Sequence, residues 1–270
     1  MSGEAANTPW RDADGETIGP DISDLVTEDG AAVDSVYSER QRLLLVEPLY
    51  AGWPGPPADE DGNPRSFFAA ANVGVFAVAK NNPLVPDVLV SVDVEPPSDV
   101  HDKERRSYFV WEYGKVPDVV IEVVSNNVGG ELTDRKRGYA KMRVPVYVVW
   151  DPEKHVSDEE LTVFWLAGNV YRRAENSMIE SLGLELQPWV GAFEGIEARW
   201  LRWRDLRAAW LPTGAERASY ERARAESERA RAETERARAE SERARAESER
   251  ARAEALADKL RALGIDPESV

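Results

Sequence analysis

The stretch "VPDVVIEVVSNN", residues 116–127, sets a glutamate, Glu122, in the middle of a run of β-branched apolar residues. The tetrapeptide "VPDV" occurs twice, at 85–88 and at 116–119, and both copies lead into apolar runs, "VLVSVDV" and "VIEVVS". Such runs read as strands, and everything around Glu122 asks for burial. A buried, unpaired carboxylate is costly unless it is neutralised, hydrogen-bonded or coordinated to a metal. The question is therefore what compensates Glu122.

On a strand over 118–125, alternate residues share a face, so Asp118, Val120, Glu122 and Val124 point one way. Asp118 and Glu122 are separated by about 13 Å along an extended chain and cannot ligate one ion together. A partner carboxylate must come from a neighbouring strand, and Asp87, in the other "VPDV", is the natural candidate. Two carboxylates from adjacent strands, completed by waters, make a hard oxygen site suited to Mg²⁺ or Mn²⁺. The following segment, "ELTDRKRGYAKMR", adds Arg135, Lys136, Arg137, Lys141 and Arg143. From a helix beside the strand, Lys136 could reach the same pocket, and the other cations could grip phosphates. Two carboxylates on a divalent ion, with a lysine to orient water or stabilise developing charge, suit phosphodiester hydrolysis. The plainer alternative stays open: a structural ion pair from Glu122 to Lys136 or Arg137, with Asp87 and Asp118 only beginning strands.

Working outward, residues 36–212 read as one α/β domain, a mixed β-sheet flanked by helices. A first helix is expected at about 37–53, and strands in "NVGVFAVAK", "DVLVSVDV", "SYFVWEY", "PDVVIEVVS" and "VPVYVVWDP". A helix is expected over about 130–143 and a hairpin around Ala167-Gly168-Asn169, with "IEARWLRWRD" and "AWLPTG" beyond it. Residues 1–35 hold nine acids against one base, a net −8 out of the chain's −16, and read as a mobile acidic arm. The overall charge argues against broad electrostatic capture of nucleic acid but leaves room for a local basic surface. From Glu221 the chain repeats ERARAES-type units five times, in helix-forming residues with no Gly or Pro between 215 and 263. Residues 213–270 are thus expected to form a long helical rod. It is either a weak coiled coil through Ala223, Ser227, Ala230, Thr234, Ala237 and Ser241, or a solitary charged helix.

There are no cysteines and only two histidines, His101 and His155, which excludes thiolate and histidine-rich metal centres. The start lacks a basic-then-apolar leader, and no run approaches a membrane span. The expectation is a cytoplasmic protein.

The motif "VPDVVIEVVS…DRKRGYAKMRVPVYVVWDPEKH" resembles the signature of the Uma2 family, also called DUF820, of restriction-endonuclease-like proteins. The resemblance is strong over about 85–153, looser through "LGLELQPWVGAFEGIEARWLRWRDLRAAWLPTGAERA" and weak before 70. It implies the PD-(D/E)xK nuclease core, a nucleic-acid substrate with DNA foremost, and a Mg²⁺- or Mn²⁺-dependent endonuclease activity. It also implies Asp87 and Glu122 as the metal-binding carboxylates. The superfamily's lysine usually stands two residues after that glutamate, where this chain has Val124; in the family it is displaced to the following helix, which makes Lys136 the candidate. The family lysine usually lies four residues before the helix tyrosine, however, and Arg135 occupies that position relative to Tyr139. The usual "GVPEY" reads "RVPVY" here, with Arg143 in place of glycine. Glu39 or Glu47 could supply an extra acid from the first helix. Glu112 could approach from a neighbouring strand, whereas His101 reads as a solvated loop residue and Ser125 as a cap. A homodimer through the core or the rod would suit two-strand cleavage. The competing expectation is a non-catalytic scaffold of the same fold, working through its rod.

Overall fold

The computed structural model describes residues 35–77, 83–97, 99, 107–125 and 130–262. Nearly all of the acidic arm, and His101, lie outside the described residues. The chain divides into two compact units, Met1–Leu211 and Pro212–Val270.

The first unit opens with helix α1 (Val36–Ala51), whose N-cap Ser35 accepts the amide of Ser38. Strands β1 (Phe67–Ala71), β2 (Val75–Phe76), β3 (Val88–Val92) and β4 (Tyr108–Phe109) follow, then a single helical turn, α2 (Val110–Tyr113). Next come β5 (Val119–Val123), a π-helical turn (Glu131–Arg135) running into α3 (Lys136–Met142), and β6 (Val146–Trp150). The hairpin β7 (Leu161–Ala167) and β8 (Val170–Arg173) precedes β9 (Met178–Ile179), β10 (Leu184–Phe193) and β11 (Ile196–Asp205).

The principal sheet is six-stranded and mixed, in the order β1-β3-β5-β6-β7-β8. Among the described strands of this sheet only the β5–β6 pair is parallel, as it must be where a helix carries the chain back between neighbouring strands. All five residues of β3, of β5 and of β6 are buried, so these central strands are covered on both faces. On one face, Val88, Val90, Val119, Ile121 and Trp150 pack with Leu45 and Leu49 of α1 and with Leu186 and Trp203 of the three-stranded sheet β11-β10-β9. On the other, Leu89, Val120, Val124, Tyr147 and Val149 pack with Tyr139 of α3. Glu122 sits between Val120 and Val124 on this second face.

The sequence-based elements differ from the fold at the sheet's margins. Strand β1 lies in "FFAAA", just before the expected "NVGVFAVAK", because pairing with all five residues of β3 outweighs alanine's poor strand propensity. In "SYFVWEY" only Tyr108–Phe109 is extended; the rest closes into the turn of α2, ended by Gly114 at φ 73°. The ten-residue pair β10–β11 joins a second sheet rather than extending the first.

The second unit carries α4 (Gly214–Ala262), 49 residues with no side chain buried. A capping box starts it: Thr213 Oγ1 accepts the amide of Glu216 at 3.1 Å, and the Glu216 carboxylate accepts the amide of Thr213 at 2.8 Å. Along the rod, arginines pair with glutamates four residues on, as in Arg224–Glu228, Arg238–Glu242 and Arg245–Glu249. Each such exposed pair contributes only a few tenths of a kcal/mol, so the helix owes its persistence to alanine-rich propensity and to their number.

Candidate functional site: a buried carboxylate under a half-exposed arginine

Glu122 is completely buried, and both of its oxygens are engaged from the helix above it. Arg135 Nη1 meets Oε2 at 2.5 Å, and the Tyr139 hydroxyl donates to Oε1 at 2.8 Å. Residues four apart on a helix stand one above the other, so this spacing delivers a cation and a neutral donor to one carboxylate. The π-turn over Glu131–Arg135 adjusts the register at the point where the pair must reach the strand. Burial, reinforced by the negative charge of Glu122, raises the Tyr139 pKa far above its ordinary value. Tyr139 is therefore a neutral donor at any physiological pH. The partners differ sharply in exposure: the Arg135 side chain is 44% exposed, whereas that of Glu122 is 0%. The guanidinium forms the boundary between the carboxylate and solvent.

Asp87 lies just before β3. Continuing the Val88↔Ile121 register by one residue sets it opposite Glu122. Its Oδ2 accepts the amide of Val123 at 2.7 Å, and its Oδ1 meets Arg42 Nη1 of α1 at 3.0 Å. The second "VPDV" makes the mirror-image contact. Asp118, before β5, accepts the amide of Val92 at the end of β3 at 2.7 Å and pairs with Lys115 at 2.7 Å. The repeated tetrapeptide is thus a reciprocal clasp: each aspartate closes one end of the antiparallel β3–β5 pair and carries its own cation. Only the Asp87 end adjoins Glu122.

Lys136 is placed elsewhere. Its Nζ lies 3.4 Å above the centroid of the Phe164 ring, and burial lowers its pKa. Arg137 pairs with Asp134 at 3.3 Å, at the surface. Glu122 is thus compensated by Arg135 and Tyr139, not by Lys136 or Arg137. Glu39 is an exposed first-turn residue of α1 beside Arg40, Glu47 sits two turns further along, Glu112 is exposed on α2, and Ser125 is exposed just past β5. The residue that α1 brings to the carboxylates is Arg42. Nothing in the local sequence around "ERQRLLL" singles it out, whereas the four-residue spacing of Arg135 and Tyr139 was a readable signal.

The donor set fits a small, hard divalent ion of modest coordination demand. Asp87 and Glu122 present carboxylates opposite one another on the β3–β5 ladder, and Mg²⁺ commonly uses only one or two carboxylates with water filling the rest. Among the described residues no group of three or more His, Cys, Asp or Glu side chains could hold a metal. The two carboxylates are balanced here by two guanidiniums, the nearly buried Arg42 on Asp87 and the half-exposed Arg135 on Glu122, which also reaches the Val85 carbonyl at 3.5 Å.

No curated protein and no solved structure matches the chain. A family model described as "Uma2: Putative restriction endonuclease" matches residues 50–191, which include β1 to β9, most of β10, and both carboxylates. The matched region covers more than half of the 270 residues and bears Asp87, Glu122, Arg135 and Tyr139, though not Arg42, and the chain is a member of the Uma2 family.

Proposed function

We propose that this protein is a metal-dependent endonuclease that hydrolyses nucleic-acid phosphodiester bonds at the Asp87–Glu122 edge of the sheet. The observation that carries the reading is the fully buried Glu122, opposite a second carboxylate, closed off from solvent by one half-exposed arginine. A half-exposed cation over a fully buried carboxylate stands where an arriving ion or phosphate would first meet the pair. A bound Mg²⁺ or Mn²⁺ would polarise the scissile phosphate and lower the pKa of an attacking water. Asp87 and Glu122 would hold the ion, with Asp87 kept in place by the Val123 amide and Arg42. Tyr139, neutral and donating to Oε1, fixes the Glu122 rotamer. Arg135 gives up Glu122 and turns its fork of donors to the charge gathering on the phosphoryl oxygens. An arginine serves this role well but is a poor proton donor, so the attacking water's proton passes to solvent or to a substrate oxygen. Lys136, over the Phe164 ring, faces away from Glu122 and would take no part at the scissile phosphate.

The test is cleavage of supercoiled plasmid and of single-stranded DNA with Mn²⁺ or with EDTA, alongside Asp87→Ala and Glu122→Ala checked by circular dichroism. Metal-dependent nicking that disappears in both folded variants supports the reading. Turnover unaffected by either substitution contradicts it.

A second reading concerns assembly, favoured by the charge pattern of α4. With Ser227, Thr234 and Ser241 at the a positions and Ala223, Ala230 and Ala237 at d, every e position holds arginine (Arg224, Arg231, Arg238) and every g position glutamate (Glu226, Glu233, Glu240). A parallel pair sets g against e′, unlike charges; an antiparallel pair sets like against like. The rod would then join two copies side by side, in parallel.

A further inference from the structure

We infer that the groove between α3 and the β7–β8 hairpin binds the phosphodiester backbone of a nucleic-acid strand. This deepens the nuclease reading and rests on it for the choice of polyanion. The groove has a volume of about 730 Å³; Lys136, Arg137, Lys141 and Arg143 line one side, and Asn169 and Tyr171 the other. Four cations within eight residues make this stretch locally basic in a chain that carries −16 overall. They run along roughly 10 Å of helix axis, longer than one phosphate group, which favours an extended polyanion over a single anion.

Charge alone would be a weak argument, since surface lysines and arginines are common. The placement of Arg143 strengthens it. Arg143 caps α3 at φ 71°, the left-handed region that glycine occupies at no cost. Stopping the helix requires no arginine there. Its guanidinium instead donates to the Asn169 side chain in the hairpin loop, so the strained residue spans the groove from helix to hairpin. Lys136 adds a second feature. Its ammonium lies on the Phe164 ring and is already partly stripped of water, so an arriving phosphate has less hydration to displace. The Arg137–Asp134 pair is fully at the surface, 75% and 87% exposed, and exchanges readily for a phosphate contact. Position completes the case. Arg135 faces Glu122 and the next residue, Lys136, lines the groove, so one helical segment carries both the arginine of the proposed site and the first cation of the groove.

The experiment is fluorescence anisotropy with a labelled single-stranded oligonucleotide and its duplex, in EDTA so that no metal-dependent cleavage intervenes, across a salt series. Wild type is expected to bind with an affinity that falls steeply with salt. Combining Lys141→Glu with Arg143→Gly should weaken binding at least about tenfold and flatten the slope of log K against log salt by about two. Arg143→Gly alone separates binding from folding, because glycine relieves the backbone: its Tm should rise while its affinity falls. Salt-dependent binding that the groove substitutions weaken, in a protein that never cleaves, would sink the nuclease reading and keep the groove. A double variant with wild-type affinity and salt slope, or a wild type that binds neither probe, overturns the groove whatever happens to cleavage.

Discussion

Glu122, Asp87 and Asp118 are all acidic residues at the β3–β5 pair, and their surroundings give them different work. Asp87 and Asp118 are related by the local two-fold of the antiparallel ladder and make the same clasp. Replacing Asp118 by Asn should therefore cost stability, about 1–3 kcal/mol for a charge-assisted contact, and leave metal affinity and cleavage unchanged. Asp87→Asn should cost a comparable amount of stability and abolish Mn²⁺ binding as well. Equal effects of the two on metal binding, read by calorimetry beside urea unfolding, would contradict the assignment. The burial of Glu122 was legible in the sequence, because a carboxylate inside "VVIEVVS" has nowhere else to go. Its partners were only half legible. The spacing of Arg135 and Tyr139 announced itself, but Lys136 looked the chemically better cation, and residue type says nothing of whether a side chain meets a carboxylate or an aromatic ring. Arg42, which meets the neighbouring Asp87, comes from 45 positions earlier in the chain and is brought in by tertiary packing alone.

The elements that carry the site were easier to read than those that support it. Strand β5, the crossover through α3, strand β6 and the β7–β8 hairpin follow from apolar runs and turn residues. Strand β1 was obscured by its three alanines, and the β10–β11 pair by an even scatter of charged and aromatic residues that suits a half-exposed second sheet. The joint between α1 and that sheet was invisible in the sequence. Gln41 is fully buried, its amide donating to the Leu201 carbonyl at 2.9 Å while its oxygen accepts the Leu201 amide at 2.8 Å. The side chain stands in for a missing strand neighbour on β11. Gln41→Ala leaves two buried backbone groups without partners and should cost about 2–4 kcal/mol, a loss measurable by chemical unfolding. A loss below about 0.5 kcal/mol would mean that water replaces the amide at no cost. Because α1 also carries Arg42, the variant should weaken the hold on Asp87.

For the whole molecule the issue is how the rod bears on function. Among the described residues no helix is long and apolar enough to cross a membrane, and α4 has no buried side chain. Its repeat was the most legible feature of the sequence, since alanine, arginine and glutamate without interruption leave the backbone little alternative to a helix. Self-association was not legible from composition, because a seam of alanine and serine buries little area. If the e and g charges direct a parallel pair, the full chain should sediment as a dimer at low salt and shift toward monomer as salt screens the rod. Deleting 214–270 should give a monomer at every salt concentration. A monomeric full chain at low salt would leave the rod as a solitary spacer.

The most direct measurement is a calorimetric Mn²⁺ titration of wild type, Arg135→Ala and Glu122→Gln. If Arg135 holds the place of an ion, removing it should tighten Mn²⁺ binding and restore part of the stability lost with the ion pair, while Glu122→Gln should bind no metal. If Glu122 and Arg135 form only a structural pair, Arg135→Ala will be destabilised with or without Mn²⁺, and none of the three proteins will take up the ion.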